Sequence, residues 1–148
     1  MKNRIFILII FTVSVLLMTG LTLGNKQQAE EPMELHSIMR LIMMHVHTIN
    51  EGIYLQNYRL VEKGAADIND HPPLSENSRA LVQETLGDEM PAFGAFDEIV
   101  HGHADSIRVS AEKHDMEGVL QHYRIMQQGC VNCHAAFQNK IREARMGF

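Results

Sequence analysis

Cysteine is scarce in this chain: the 148 residues hold two, Cys130 and Cys133. Neither has a second C-x-x-C or a histidine pair nearby at finger spacing, which argues against a structural zinc site, since that needs four ligands. Proline is also sparse. Pro32, Pro72, Pro73 and Pro91 all fall at expected helix starts or in a connection, so none interrupts a helix interior. No alternating β-branched run precedes the cysteines, which excludes the βαβ setting of a thioredoxin-like dithiol. Internal repeats and low-complexity tracts are missing. So is any basic surplus: 13 Lys and Arg against 18 Asp and Glu give a formal charge of −5. Nucleic acid, whose phosphates need a basic surface, is therefore not an expected partner.

The cysteines that are present lie in one run, Cys130-Val131-Asn132-Cys133-His134. C-x-x-C-H is the pattern of covalent c-type haem attachment. Two thiols add across the two vinyl groups at a porphyrin edge, and the adjacent imidazole reaches the iron as proximal ligand. One covalently bound haem c is thus the expected cofactor, held by Cys130 and Cys133 with His134 on the metal.

Residues 1–24 open with Lys2 and Arg4 and continue apolar from Ile5 to about Leu23, a charged segment followed by a long hydrophobic one. They are expected to be a signal peptide or an N-terminal membrane anchor running through residues 5–23. The domain that follows, 25–148, is expected outside the cytoplasm, in a periplasm or its equivalent. At 124 residues it suffices for one core but not two. Taking Lys2 and Arg4 from the 13 basic residues leaves 11 against 18 acidic ones, a formal charge of −7. Such a domain suits neutral or positively charged partners.

From Glu31 onward the hydrophobic periodicity is helical. A first helix is expected from about Pro32 to Gly52, with Leu35, Met39, Ile42, Val46 and Ile49 on one stripe. A second, about Gln56 to Asn69, turns Leu60, Val61, Ala65 and Ile68 inward and breaks at His71-Pro72-Pro73. A connection over Ser75 to Gly87 carries a short helix with Leu81 and Leu86. The third long helix starts near Pro91, presents Phe93, Phe96, Val100, Ala104 and Ile107, and ends near Lys113-His114. The fourth follows Asp115 as N-cap and repeats by three and four through Val119, Tyr123, Met126, Cys130, Cys133, Phe137 and Ile141. The fold class is all-α, and short links favour an antiparallel up-down-up-down four-helix bundle with the haem near the C-terminal helix. In that topology the start of the first helix lies beside the end of the last.

Four helices with Cys130-x-x-Cys133-His134-x-x-Phe137 near the C-terminus resemble the class II c-type cytochromes, the cytochrome c prime family, over roughly residues 33 to 145. The resemblance implies thioether bonds at Cys130 and Cys133, His134 as fifth ligand, and Phe137 packed on the haem edge. Members of the family commonly carry a basic residue directly after that aromatic. This chain has Gln138 there, which leaves Lys140 or Arg142 to pair the propionates.

Within the family the sixth position decides function. A methionine from the first helix makes a low-spin electron carrier, whereas an apolar residue leaves five-coordinate iron that binds small gases. Among Met33, Met39, Met43 and Met44, Met39 is the leading candidate ligand, with Met43 one turn later and His36 the rival that would lower the potential. Methionine on a core stripe also simply fills space.

Electron transfer by an exported mono-haem cytochrome, with redox proteins as partners and no enzymatic reaction, is the leading function. A homodimer is a further assembly that the resemblance allows. The alternative is a nitric oxide- or carbon monoxide-binding module lined by Met39, Met43 and Val46; peroxide reduction is weaker, because Arg40 is expected to face away. The pairs His45/His47 and His101/His103, spaced by two, place their side chains on different helix faces and make poor bidentate sites. Only one of His101 and His103 is expected to reach into the bundle. A di-iron centre would require inward Glu-x-x-His pairs on two helices, which the chain lacks.

Overall fold

The computed structural model describes residues 31–147. The expected export or anchor segment, residues 1–24, lies outside the described residues. Among those described, the chain is all-helical with no strand, and no helix is long and apolar enough to cross a membrane.

The first helix, α1 (Leu35–Tyr54), begins three residues later than the proline suggests. Met33 explains the delay. Its N–H donates to the Pro73 carbonyl at 2.9 Å and its own carbonyl accepts from Ser75 N–H at 2.8 Å, a parallel bridge that holds the backbone extended. Gly52 does not end α1 either, because it is buried where α2 (Tyr58–Asn69) crosses: a Cβ there would stand 2.7 Å from the Val61 nitrogen. The turn comes later, at Gln56 with φ 51°, and Asn57 caps α2 by accepting from Leu60 N–H at 3.3 Å.

Ser75 caps the short α3 (Glu76–Leu86) by accepting from Ser78 N–H, and Gly87, with φ 46°, closes it. A 3₁₀ turn over Gly87–Glu89 leads into α4 (Met90–Glu112), with Pro91 in its first turn, where a missing N–H costs nothing. His114, at φ 56°, makes the reversal; Asp115 then caps α5 (Met116–Cys133) by accepting from Gly118 N–H at 3.0 Å. The chain continues without a break through a π-helical turn, His134–Gln138, into α6 (Asn139–Met146).

Helix neighbours follow chain order, skipping α3: α1 lies along α2, α2 along α4, and α4 along α5. Each pair is antiparallel. His45 meets Asp67 while Gly52 meets Val61; Tyr58 meets His114 while Asn69 meets His101; Ser110 meets Gly118 while Ile99 meets Gly129. α1 and α5 have no comparably close backbone approach. The main core is Ile49, Val61, Ile68, Ile107, Val119 and Met126, all fully buried, each contributing about 1.5–3 kcal/mol by leaving water. The expected stripes of α2, α4 and α5 with its continuation are buried or half-buried throughout, as are Leu35, Ile42, Val46 and Ile49 in α1; there only Met39, 39% exposed, leaves the stripe, and Ile38, 2% exposed, takes its place. Ile38, with Ile42 and Ile49, keeps three-and-four spacing along the face turned to the core.

Candidate functional site

A second, smaller apolar cluster sits at the end where α5 becomes α6. Val82 and Leu86 of α3 and Phe137 are its buried centre, and Leu35, Met90, Phe93, Phe96, Cys133 and Ile141 pack around them. The Phe93 and Phe96 rings stand edge-on to Phe137, with centroids 5.8 and 6.1 Å away. Such edge-to-face contacts add to the simple area buried. Sequence periodicity had placed Phe93, Phe96 and Phe137 on inward stripes, but not in a cluster separate from the main core. Val82 had no such signal, since Leu81 looked like the inward residue and is only half-buried.

Cys130 and Cys133 are both half-buried free thiols. Burial pushes both up from the ordinary thiol range, and at Cys133 the neighbouring Cys130 and the Asp97 carboxylate push the same way. Burial thus favours the protonated thiols over thiolates. Gly129 marks the side of α5 turned to α4, since a Cβ there would meet Ile99 at 2.9 Å. At about 100° per residue, Cys130 lies about 100° round from it and His134 about 140°. The edge bearing Cys130 and the imidazole is thus turned away from α4. Cys133, about 40° round from Gly129, packs instead against the phenylalanines of the smaller cluster.

His134 is exposed and is the first residue of the π-helical turn. π-Helical turns inside α-helices are frequent at functional sites, and nothing in the three-and-four spacing of this helix announces one. Phe137, inside that turn, is 4% exposed. Lys140 lies over its ring at 5.8 Å and is held by both Glu89 carboxylate oxygens at 2.6 and 2.8 Å. Its ammonium already has an anionic partner, which leaves Arg142, exposed on α6, as the other basic candidate of the pair.

On α1 the side turned to α2 is set by His45, Ile49 and Gly52. Met39 lies about 120° round from His45, on the edge it shares with Leu35 and Val46. Leu35, one turn before Met39, packs in the Phe137 cluster beside Cys133, so the Met39 edge begins at the C-x-x-C-H end of the molecule. Met43, next along that side, is 52% exposed, and Met44 and His36 are exposed as well.

The donor set suits a covalently held porphyrin. Two thiols stand one turn apart on one helix, an exposed imidazole follows, and three phenylalanines supply an apolar wall. Among the described residues, no group of three or more His, Cys, Asp or Glu side chains converges to hold a bare metal ion. No family model, curated protein or solved structure matches the chain.

Several histidines elsewhere are engaged locally. His45 pairs with Asp67 at 3.3 Å. His101 shares a hydrogen bond with Asn69 Oδ1 at 2.8 Å and lies 3.5 Å from Asp97, whose carboxyl it holds below the usual range. His103 contacts His122, a pairing that the two-residue spacing within each sequence pair conceals.

Proposed function

We propose that the chain is an exported mono-haem c-type cytochrome that carries single electrons, built as an antiparallel up-down-up-down four-helix bundle like the cytochrome c prime family. One observation carries the proposal. The C-x-x-C-H run, the Phe93–Phe96–Phe137 wall and the start of α1 at Leu35 come together at one end of the molecule. When bound, the haem supplies a one-electron iron couple, whose potential the surrounding protein tunes through axial ligands, burial and charge. Cys130 and Cys133 would hold it through thioethers, and His134 and Met39 would supply an imidazole and a thioether to the metal. The phenylalanines exclude water from one face. Residues 1–24 direct the chain to a periplasmic or other extracytoplasmic space, and its acidic balance selects redox partners with neutral or positive surfaces.

Expression in a host competent for c-type haem maturation tests this directly. Purified protein is expected to be coloured, to gain the mass of one haem, and to keep its pigment in acidified organic solvent. Cys130→Ala combined with Cys133→Ala is expected to abolish attachment. Colourless wild-type protein, or pigment that extracts freely, removes the proposal.

A further inference from the structure

Between α4 and α5 lies a pair of histidines with no part in the site above. His103 Nδ1 stands 3.0 Å from His122 Nδ1, with ring centroids 5.2 Å apart and planes tilted by 33°. Both rings are half-buried. The spacing is held from either side by close helix approaches: a Cβ on Gly118 would lie 2.8 Å from Ser110 Oγ, and one on Gly129 would lie 2.9 Å from Ile99. His101, two residues from His103, is taken up on the α2 side by Asn69. The pair is therefore separate from that network.

Two imidazole nitrogens facing each other hold one proton between them, one ring donating and the other accepting. A metal ion can take the place of that proton. An ion about 2.0–2.1 Å from both nitrogens would subtend roughly 90° at this separation, the cis angle of square-planar or octahedral coordination, and a parting of the nitrogens by about 0.3 Å opens it to the tetrahedral angle that zinc takes. Imidazole suits copper, nickel and zinc. We propose that His103 and His122 form a two-imidazole site for a first-row divalent cation of this group, linking α4 to α5, with water in the remaining positions. Since no third protein donor converges there, the ion exchanges with solvent and is not a structural metal.

Calorimetric titration of the full-length, haem-loaded chain with Zn(II) tests the site. His103→Ala and His122→Ala are each expected to weaken the tightest equivalent about a hundredfold, because one donor of a chelating pair is lost, whereas His101→Ala leaves it intact. Zn(II) is also expected to raise the thermal midpoint of the wild type, as any ligand of the native state does, and not that of the two variants. Should those variants fail to fold, carbethoxylation of the wild type with and without Zn(II), read by mass spectrometry, decides. Protection of His103 and His122 supports the site; no protection, or undiminished binding in a folded variant, overturns it.

Discussion

Ile38 and Met39 are neighbours in the chain with opposite roles. Ile38 is shut in the interior and Met39 is 39% exposed. Truncating Ile38 to alanine removes buried methyl groups and leaves a cavity, at an expected cost of about 2–4 kcal/mol in chemical denaturation. Met39→Ala is expected to cost less than about 1 kcal/mol in protein without haem, because the side chain is already partly in water. In the haem-loaded protein the order of effects reverses for the spectrum. Met39→Ala is expected to abolish the thioether-to-iron charge-transfer band and to convert low-spin iron to high-spin, while Ile38→Ala leaves both unchanged. An unaltered spectrum in Met39→Ala would transfer the ligand role to Met43 or His36, or leave the iron five-coordinate.

Most of the helices were legible because their boundaries rest on local chemistry. Asn57, Ser75 and Asp115 cap three helices, and Pro91 sits in the first turn of a fourth. The illegible features depend on partners distant in sequence. Met33 leaves the helix because Pro73 and Ser75 take its backbone groups, and Gly52 stays inside α1 because Val61 lies against it. His103 meets His122 only once the reversal at His114 has brought α4 and α5 together. Gly64 makes the same point as a prediction: a Cβ there would stand 2.9 Å from both the His45 carbonyl oxygen and the Ile49 nitrogen. Alanine would gain about 1 kcal/mol in helix propensity. Against that, forcing apart two helix backbones costs about 1–3 kcal/mol, and a backbone cannot step aside as a side-chain tip can. Gly64→Ala is therefore expected to lower the denaturation midpoint, with Gly102→Ala, whose Cβ would meet nothing, stabilising as the matched control. A second element-level device is the clasp at the start of α1, where Ser75 and Ser78 hydroxyls donate to the Glu34 carboxylate and Ser78 Oγ accepts from Leu35 N–H at 3.1 Å. The Ser78 bond, then the Ser75 bond, hold Glu34 below the usual carboxylate range. Its contribution to stability is thus complete above the unfolded carboxyl pKa and drains away as pH falls through the lower folded value. Glu34→Gln should lose less stability than wild type on acidification from about pH 6 to about pH 3, measured as thermal midpoints; parallel curves would show that the clasp carries no charge dependence.

At the scale of the molecule, the helix order leaves α1 and the α5–α6 helix as the one pair of long neighbours without close backbone packing. The main core takes in Ile42, Val46 and Ile49 of α1 and Val119, Tyr123 and Met126 of α5, but it leaves Met39 39% exposed and Cys130 half-buried. A haem bonded to α5 and ligated from α1 would supply the missing contact and stabilise the native state as a bound ligand does. Protein carrying Cys130→Ala and Cys133→Ala is accordingly expected to remain helical by circular dichroism but to melt at lower temperature. Hydrogen exchange should localise the difference. Amides in α2 and in the middle of α4, buried on the main core, are expected to keep their protection, while those in the first turns of α1 and in the His134–Gln138 turn exchange faster. Uniformly faster exchange would mean that the haem supports the whole core and not one seam. Identical exchange with and without haem would mean that α1 is held by α2 and the Glu34 clasp alone, and would take from Met39 its part in fastening the two ends of the chain.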